Sequence, residues 1–367
     1  MRILFTRFPL ESRFGGAEVQ TLSLMKGLSE RGYEVSFLGS CATLLTKCQE
    51  LGIRNKELGI GSPPVTKWCA ISFLLRRRKM KKKLIAIMEN QLQATSDKLQ
   101  AVFMLSLTEK LLLTKWCVDH GIRVIWVEHD RIGRWLTKNP WLPMLKKMST
   151  MATTVVVSSL SRDIYDSLEW KGEIVTIPNG IDLIRLAERT TSNEQRANGV
   201  FRIGCIARLT RDKGVDVLIN AVKDLPNIHL TIIGSGREES TIRSLLKKNL
   251  QPAAYDLNVS HPDISAFYRS IDLLVLPSRE HDPFGLVLAE AMAVEVPIIC
   301  TDVCGIAAYL SSEDGIVVQA GKTEDLRAAI AHMQDPVLRK QYAEHGKNTA
   351  REKFAAEKMV DEYVRLL

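Results

Sequence analysis

Two carboxylates and two cations in the second half of the chain have the types and spacing to hold a phosphorylated ligand that also bears hydroxyls. Asp282 and Glu290 stand eight positions apart in P-S-R-E-H-D-P-F-G-L-V-L-A-E-A-M-A, residues 277–293. The apolar run D-L-L-V-L at 272–276 has the length of a buried strand. Asp282 is expected to cap a helix with Pro283 at its first position, and residues 284–292 supply helix formers with an apolar stripe. In such a helix the two carboxylates lie roughly 12 Å apart along the axis. The amides near Phe284, Gly285 and Leu286 then lack acceptors within the helix and can meet an anion, and Gly285 lets that anion come close. Acceptors at both ends with amides between them suit a nucleotide sugar. A plain cap and a solvated carboxylate would explain either acid singly.

The elements that must position these groups follow an alternating strand and helix order. Residues 2–6 read as a strand, Gly15-Gly16-Ala17-Glu18 opens a helix to about 31, and 33–38 is the next strand. This βαβ order puts the glycine loop at the carboxyl edge of a sheet, where ligands bind. The loop is not G-x-G-x-x-G, which counts against a nicotinamide site. A strand at 122–127 delivers His129 and Asp130, which can orient the imidazole or hold Arg131. Trp135 and Trp141 follow near a proline-punctuated helix that could line an acceptor side. The turn P-N-G-I-D at 178–182 is expected to place Asn-Gly at positive φ. After a strand at 202–207, R-L-T-R-D-K-G sets Arg208 and Lys213 around a strand-to-helix turn that can hold a diphosphate. Gly234-Ser235-Gly236 after the next strand is by itself a weak phosphate-loop signal.

Taken together, D-P-F-G-L-V-L-A-E, R-L-T-R-D-K-G and G-G-A-E resemble the retaining GT-B glycosyltransferases of the group 1, family 4 type. That family's usual element is E-x-F-G-L-x-x-x-E, so Asp282 is one methylene shorter than the residue usually found there. The resemblance implies an α/β fold of the GT-B kind, two Rossmann-like domains facing a deep interdomain cleft. It implies catalytic roles for His129, Asp282, Arg208 and Lys213, with Glu290 on the ribose. Gly15, Gly16, Phe284, Gly285 and Leu286 would bring backbone to the donor. It further implies retention by same-face attack, no metal (the sequence has no D-x-D), no cofactor beyond a nucleotide-sugar co-substrate with UDP preferred, and a glycan or lipid-linked acceptor in envelope polysaccharide assembly. Residues 256–264, where the base is usually read, carry no aromatic and glycine pair, which leaves the base open.

Length and composition bound these expectations. At 367 residues, two domains are the prior, placed at 1–187 and 200–353 around a polar hinge at 188–199, with residues 354–367 crossing back to the first. The seven cysteines lack C-x-x-C spacing and read as reduced cytosolic thiols. Neither a signal peptide nor a membrane span is expected. Residues 1–170 net +11, the remainder nets −3, and all six tryptophans fall in the basic part. From Trp68 to Met88 an apolar run meets seven cations in eight residues, R-R-R-K-M-K-K-K. That composition suits peripheral contact with an anionic membrane, or a solvated basic helix; nucleic acid is the competitor and is not expected as a partner. A sugar-nucleotide epimerase and a non-catalytic nucleotide-sugar or membrane-binding module are the alternatives to a transferase.

Overall fold

The computed structural model describes residues 1–10, 15–93, 98–187, 199–261 and 263–367, the side chains of 91–93 and 134 excepted. The chain forms two compact units, Met1–Gly180 with Ala356–Leu367, and Ile181–Ala355. The first holds the parallel strands β1 (Arg2–Arg7), β2 (Glu34–Gly39), β3 (Arg54–Glu57), β4 (Leu99–Met104), β5 (Arg123–Glu128), β6 (Thr153–Val156) and β7 (Glu173–Thr176), in the order β3-β2-β1-β4-β5-β6-β7. Ile3, Phe5, Phe37 and Phe103 belong to one apolar cluster, and Leu4, Leu38, Val102 and Met104 to another. Successive side chains point to opposite faces, so both faces of this sheet are covered, as parallel pairing requires.

The second unit holds β8 (Phe201–Ile206), β9 (Ile228–Ile233), β10 (Tyr255–Asn258), β11 (Leu273–Leu276), β12 (Ile298–Thr301) and β13 (Ile316–Val318), ordered β10-β9-β8-β11-β12-β13 and also parallel. Its central strand β11, L-L-V-L, is buried throughout. Strands β3 and β13 escape sequence reading for physical reasons. The first is R-N-K-E, an edge strand with no apolar face, and the second is three residues long.

Several local expectations change. Neither Asn179 nor Gly180 has positive φ. Gly180 instead exchanges two hydrogen bonds with the Gln20 side chain (2.6 and 2.9 Å), and a Cβ there would meet Ala356 Cα at 2.6 Å. Ile181 pairs with Ala355. The chain therefore passes between the units at two points, 180/181 and 355/356, with the first boundary seven residues before 187. The hinge stretch 188–199 lies, but for Gly199, outside the described residues. The final helix Ala356–Val364 packs on helix Gly16–Glu30, where Gly27 leaves room for Val360.

The tryptophans are mostly core, not surface. Trp126, Trp116 and Trp141 are buried, whereas Trp68 is 79% exposed. Trp141 donates its indole N–H to the Ala70 carbonyl (2.9 Å) and packs edge-on against Phe73. It is thus the floor for helix Lys67–Gln93, whose Ala70, Phe73, Met80, Leu84 and Met88 form the buried stripe. Trp135 is half-buried and donates to the Arg131 carbonyl (2.8 Å). No helix among the described residues is long and apolar enough to cross a membrane.

Candidate functional site

The second sheet reverses its strand order between β8 and β11, the point where open α/β sheets bind ligands. The loops leaving β8, β11 and β12 are tied together there by backbone groups. Arg279 N–H donates to the Asp212 carbonyl (2.7 Å), Thr301 Oγ1 to the Ser278 carbonyl (2.8 Å), and Asp282 N–H to the Val303 carbonyl (2.9 Å). Arg279 also makes two 2.7 Å bonds to Asp216 in helix Val215–Val222. Gly214 turns the chain into that helix at φ +64, and a Cβ there would meet the Pro277 carbonyl oxygen at 2.1 Å. Only glycine fits.

Within this frame Lys213 Nζ pairs with Asp282 Oδ2, both side chains largely buried, and Ser278 Oγ donates to the same oxygen at 3.3 Å. Burial works against ionisation of Asp282, but Lys213, Ser278 and the Phe284 amide outweigh it and hold the carboxyl below its usual range. The helix expected to start at Asp282 starts later. Asp282 is extended, bridged to Cys304, and accepts from the Gly305 amide (2.9 Å). Gly285 then takes φ +90 as the cap of helix Leu286–Ala293. Tertiary pairing overrides the local Asp-Pro signal. Phe284 is core, 2% exposed, and its amide serves Asp282, so the amides without an acceptor in the helix belong to Gly285, Leu286 and Val287.

Glu290, just over one turn into this helix and 7% exposed, accepts from Tyr268 Oη (2.7 Å) and Arg185 Nη2 (3.2 Å). Burial raises its carboxyl above the usual range, with Tyr268 and Arg185 pulling it back down. Arg208, at the same edge, is exposed, and the structure does not bring it onto the Lys213–Asp282 pair. The Gly-Ser-Gly turn braces the Arg208 loop: Leu209 N–H donates to the Ser235 carbonyl (2.9 Å), and Glu238 N–H to the Leu209 carbonyl (2.9 Å).

The first unit gathers its polar groups at the carboxyl edge of its own sheet. Arg7 closes β1 and meets Glu18 at 2.6 Å and Asp130 at 3.7 Å. Asp130 thus faces Arg7, which the sequence did not single out. Gly15 caps helix Gly16–Glu30, and its amide is already spent on Glu18 Oε2 (3.0 Å). His129 is half-buried, with Nδ1 enclosed and unpartnered. Burial first, then the charge of Arg7, lowers its pKa to about 4, so the imidazole is neutral at physiological pH. Beside it Lys110 and Glu128 form a buried pair at 2.7 Å. Among the described residues no group of three or more His, Cys, Asp or Glu side chains is arranged to hold a metal ion.

Arg7, Tyr268 and Arg185 are the groups that sequence reasoning passed over, and Glu18, part of G-G-A-E, was given no role of its own. A charge closing the strand R-I-L-F-T-R at the sheet's carboxyl edge could have flagged Arg7. Tyr268 and Arg185 carry no local signal, since each acquires its role only by packing beside Glu290.

Comparison with known proteins bears on this architecture. Residues 14–185 match the model of Glycosyltransferase Family 4, and 188–349 that of Glycosyl transferases group 1. Lipopolysaccharide core biosynthesis glycosyltransferase LpsE of Rhizobium meliloti is 30% identical over 54% of this chain and 59% of its own length. The N-acetyl-alpha-D-glucosaminyl L-malate synthase of Bacillus anthracis is 25% identical over 95% of this chain and 92% of its own. Against four of the curated relatives the chain spans only 48% to 62% of their length. Anabaena HepE, solved in complex with UDP, superposes with a TM-score of 0.81 at 16% identity, covering 100% of this chain and 99% of that one. Two family models end to end, on two parallel sheets of this order, leave one assignment: the chain belongs to the group 1 glycosyltransferases and has the GT-B fold.

Proposed function

We propose that the protein is a retaining, metal-independent glycosyltransferase. It moves a hexose from a nucleotide-sugar donor, a UDP-sugar by preference, to a glycan or lipid-linked acceptor of envelope polysaccharide or glycolipid assembly. The observation that carries this reading is the Lys213–Asp282 pair built beside the start of helix Leu286–Ala293, with Glu290 in the same helix. Lys213 keeps two further N–H donors for a diphosphate. With Arg208 and the Leu286 and Val287 amides they balance charge growing on the leaving group. Glu290 takes the ribose hydroxyls. His129, being neutral, hydrogen-bonds a sugar hydroxyl and does not act as a general acid. The acceptor oxygen bonds to the anomeric carbon on the face the diphosphate leaves, and the departing phosphate takes the acceptor proton. The LpsE match supports the acceptor class, and the UDP complex of HepE supports the base.

The test is nucleotide release from UDP-, GDP- and ADP-sugars, with and without a lipid extract. Release from one donor, lost in Glu290→Ala, is expected. Silence across the panel despite measurable binding would sink the transferase reading and leave a nucleotide-sugar-binding module. Release appearing only in Asp282→Glu would trace the silence to the shortened carboxylate.

Membrane contact belongs to the same proposal. Trp68, Ile71, Leu74 and Leu75 (88% exposed) share the outward side of helix Lys67–Gln93, and Arg78, Lys79, Lys81 and Lys82 follow on exposed positions. No acidic residue lies between Glu57 and Glu89. The pairing of an apolar stripe with cations fits an anionic lipid surface. Sedimentation with phosphatidylglycerol vesicles, but not phosphatidylcholine, is expected, and Trp68→Ala/Leu75→Ala should abolish it. Equal binding to both vesicle types would overturn the electrostatic part.

A further inference from the structure

The two partners of Glu290 differ in kind. Tyr268 is 0% exposed, on a helix (Ile264–Ser270) whose first turn is fixed by Asp263 accepting from the Ser265 and Ala266 amides (3.0 and 3.2 Å). Its hydroxyl donates to Glu290 Oε2 at 2.7 Å from a side chain shielded from solvent. Arg185 approaches Oε1 with a single nitrogen at 3.2 Å, and its side chain is 53% exposed. That distance is long for a charge-assisted bond, and half-solvated pairs of this sort are easily exchanged. Arg185 is nevertheless held in place from behind, since its own amide donates to Asp182 Oδ1 (3.0 Å).

A carboxylate accepts about four hydrogen bonds. A vicinal diol uses one lone pair on each oxygen; Tyr268 already holds one on Oε2 and Arg185 one on Oε1, and of the two Arg185 is the partner within reach of solvent. We propose that Tyr268 is a positioning residue that fixes the Glu290 carboxylate for a nucleotide ribose, and that Arg185 occupies the ribose's place until the nucleotide displaces it. The proposal rests on the reading of Glu290 as the ribose acceptor. It adds that a group of the chain itself stands on the carboxylate that the ribose uses, so part of the nucleotide's binding energy goes into removing that group.

Titration calorimetry with UDP and GDP, each beside its 2′,3′-dideoxy counterpart, tests both layers. The wild type is expected to prefer the ribonucleotide, and Glu290→Ala to erase that preference. Equal binding of both nucleotides by the wild type would overturn the ribose reading, and the proposal with it. Given that preference, Arg185→Ala is expected to tighten the ribonucleotide by about two- to fivefold and leave the dideoxy form unchanged. Tyr268→Phe is expected to weaken the ribonucleotide roughly tenfold, again without moving the dideoxy form. If Arg185→Ala weakens both nucleotides, Arg185 is a ligand contact and the placeholder role is wrong. Loss in Tyr268→Phe that is equal for both nucleotides would mark a merely structural tyrosine.

Discussion

The carboxyl edges of the two sheets solve the same problem with different balances of paired and unpaired groups. At the second, the charged groups have found each other: Lys213 with Asp282, Arg279 with Asp216, Arg185 with Glu290. At the first, several polar groups are buried with atoms left over, among them Arg7 Nε, Glu109 Oε2, His129 Nδ1 and Asn179 Oδ1. Buried polar atoms without partners cost free energy. Both edges hold buried pairs, Arg7–Glu18 and Lys110–Glu128 at the first among them, and the second leaves Thr210 Oγ1 unpartnered. The difference is one of degree, the first edge offering a ligand more buried atoms to satisfy.

The comparison breaks most visibly at Lys213. Lys213→Ala leaves Asp282 as a buried charge with no cation, and a loss of about 3–5 kcal/mol in urea unfolding is expected. The double variant Lys213→Met/Asp282→Leu is expected to recover most of it. Failure to recover would mean the pair is not the energetic unit at this edge. A smaller effect is expected from His129→Gln at the first edge. The imidazole titrates at about 4 in the folded chain and near 6.5 when unfolded, so the unfolded state binds the proton first. Stability carried by the neutral ring is thus complete above pH 6.5 and lost as pH falls toward 4. The gap between wild type and variant, followed from pH 7.5 to 4.5, is expected to move against the wild type on acidification; a constant gap would show an unperturbed histidine. The smallest effect is expected at Ser278, whose 3.3 Å bond is only one of the contacts of Asp282. Ser278→Ala should cost about 0.5–1 kcal/mol. A larger loss would mean that Ser278 shares the work assigned to Lys213.

Much of the molecule is legible wherever a strand is apolar and a helix has its stop signals, as with helix Thr323–His332 and the run that becomes β11. The family-bearing stretches were legible too, because phosphate and hydroxyl recognition needs particular residue types at short spacing. Asp282 shows where this stops. Its local sequence favours a cap, yet the loop after β12 claims both its amide and its carbonyl. The tryptophans fail differently. Composition counts them but does not say which face they take, and Trp141 spends its indole N–H inside the protein while Trp68 stands in solvent. Tyr268 lies 22 positions from Glu290 and Arg185 lies 105, separations at which spacing carries no information.

Helix Ala356–Val364 has one more consequence. It buries Met359, Val360 and Tyr363 in the cluster that also holds Ile3, Phe5 and Phe103, so strands made early wait for a helix made much later. The unit Ile181–Ala355 is a continuous stretch and can close as it emerges. The amino-terminal unit, though synthesised first, is finished last, and a nascent chain halted short of residue 356 carries an open apolar face for chaperones to find.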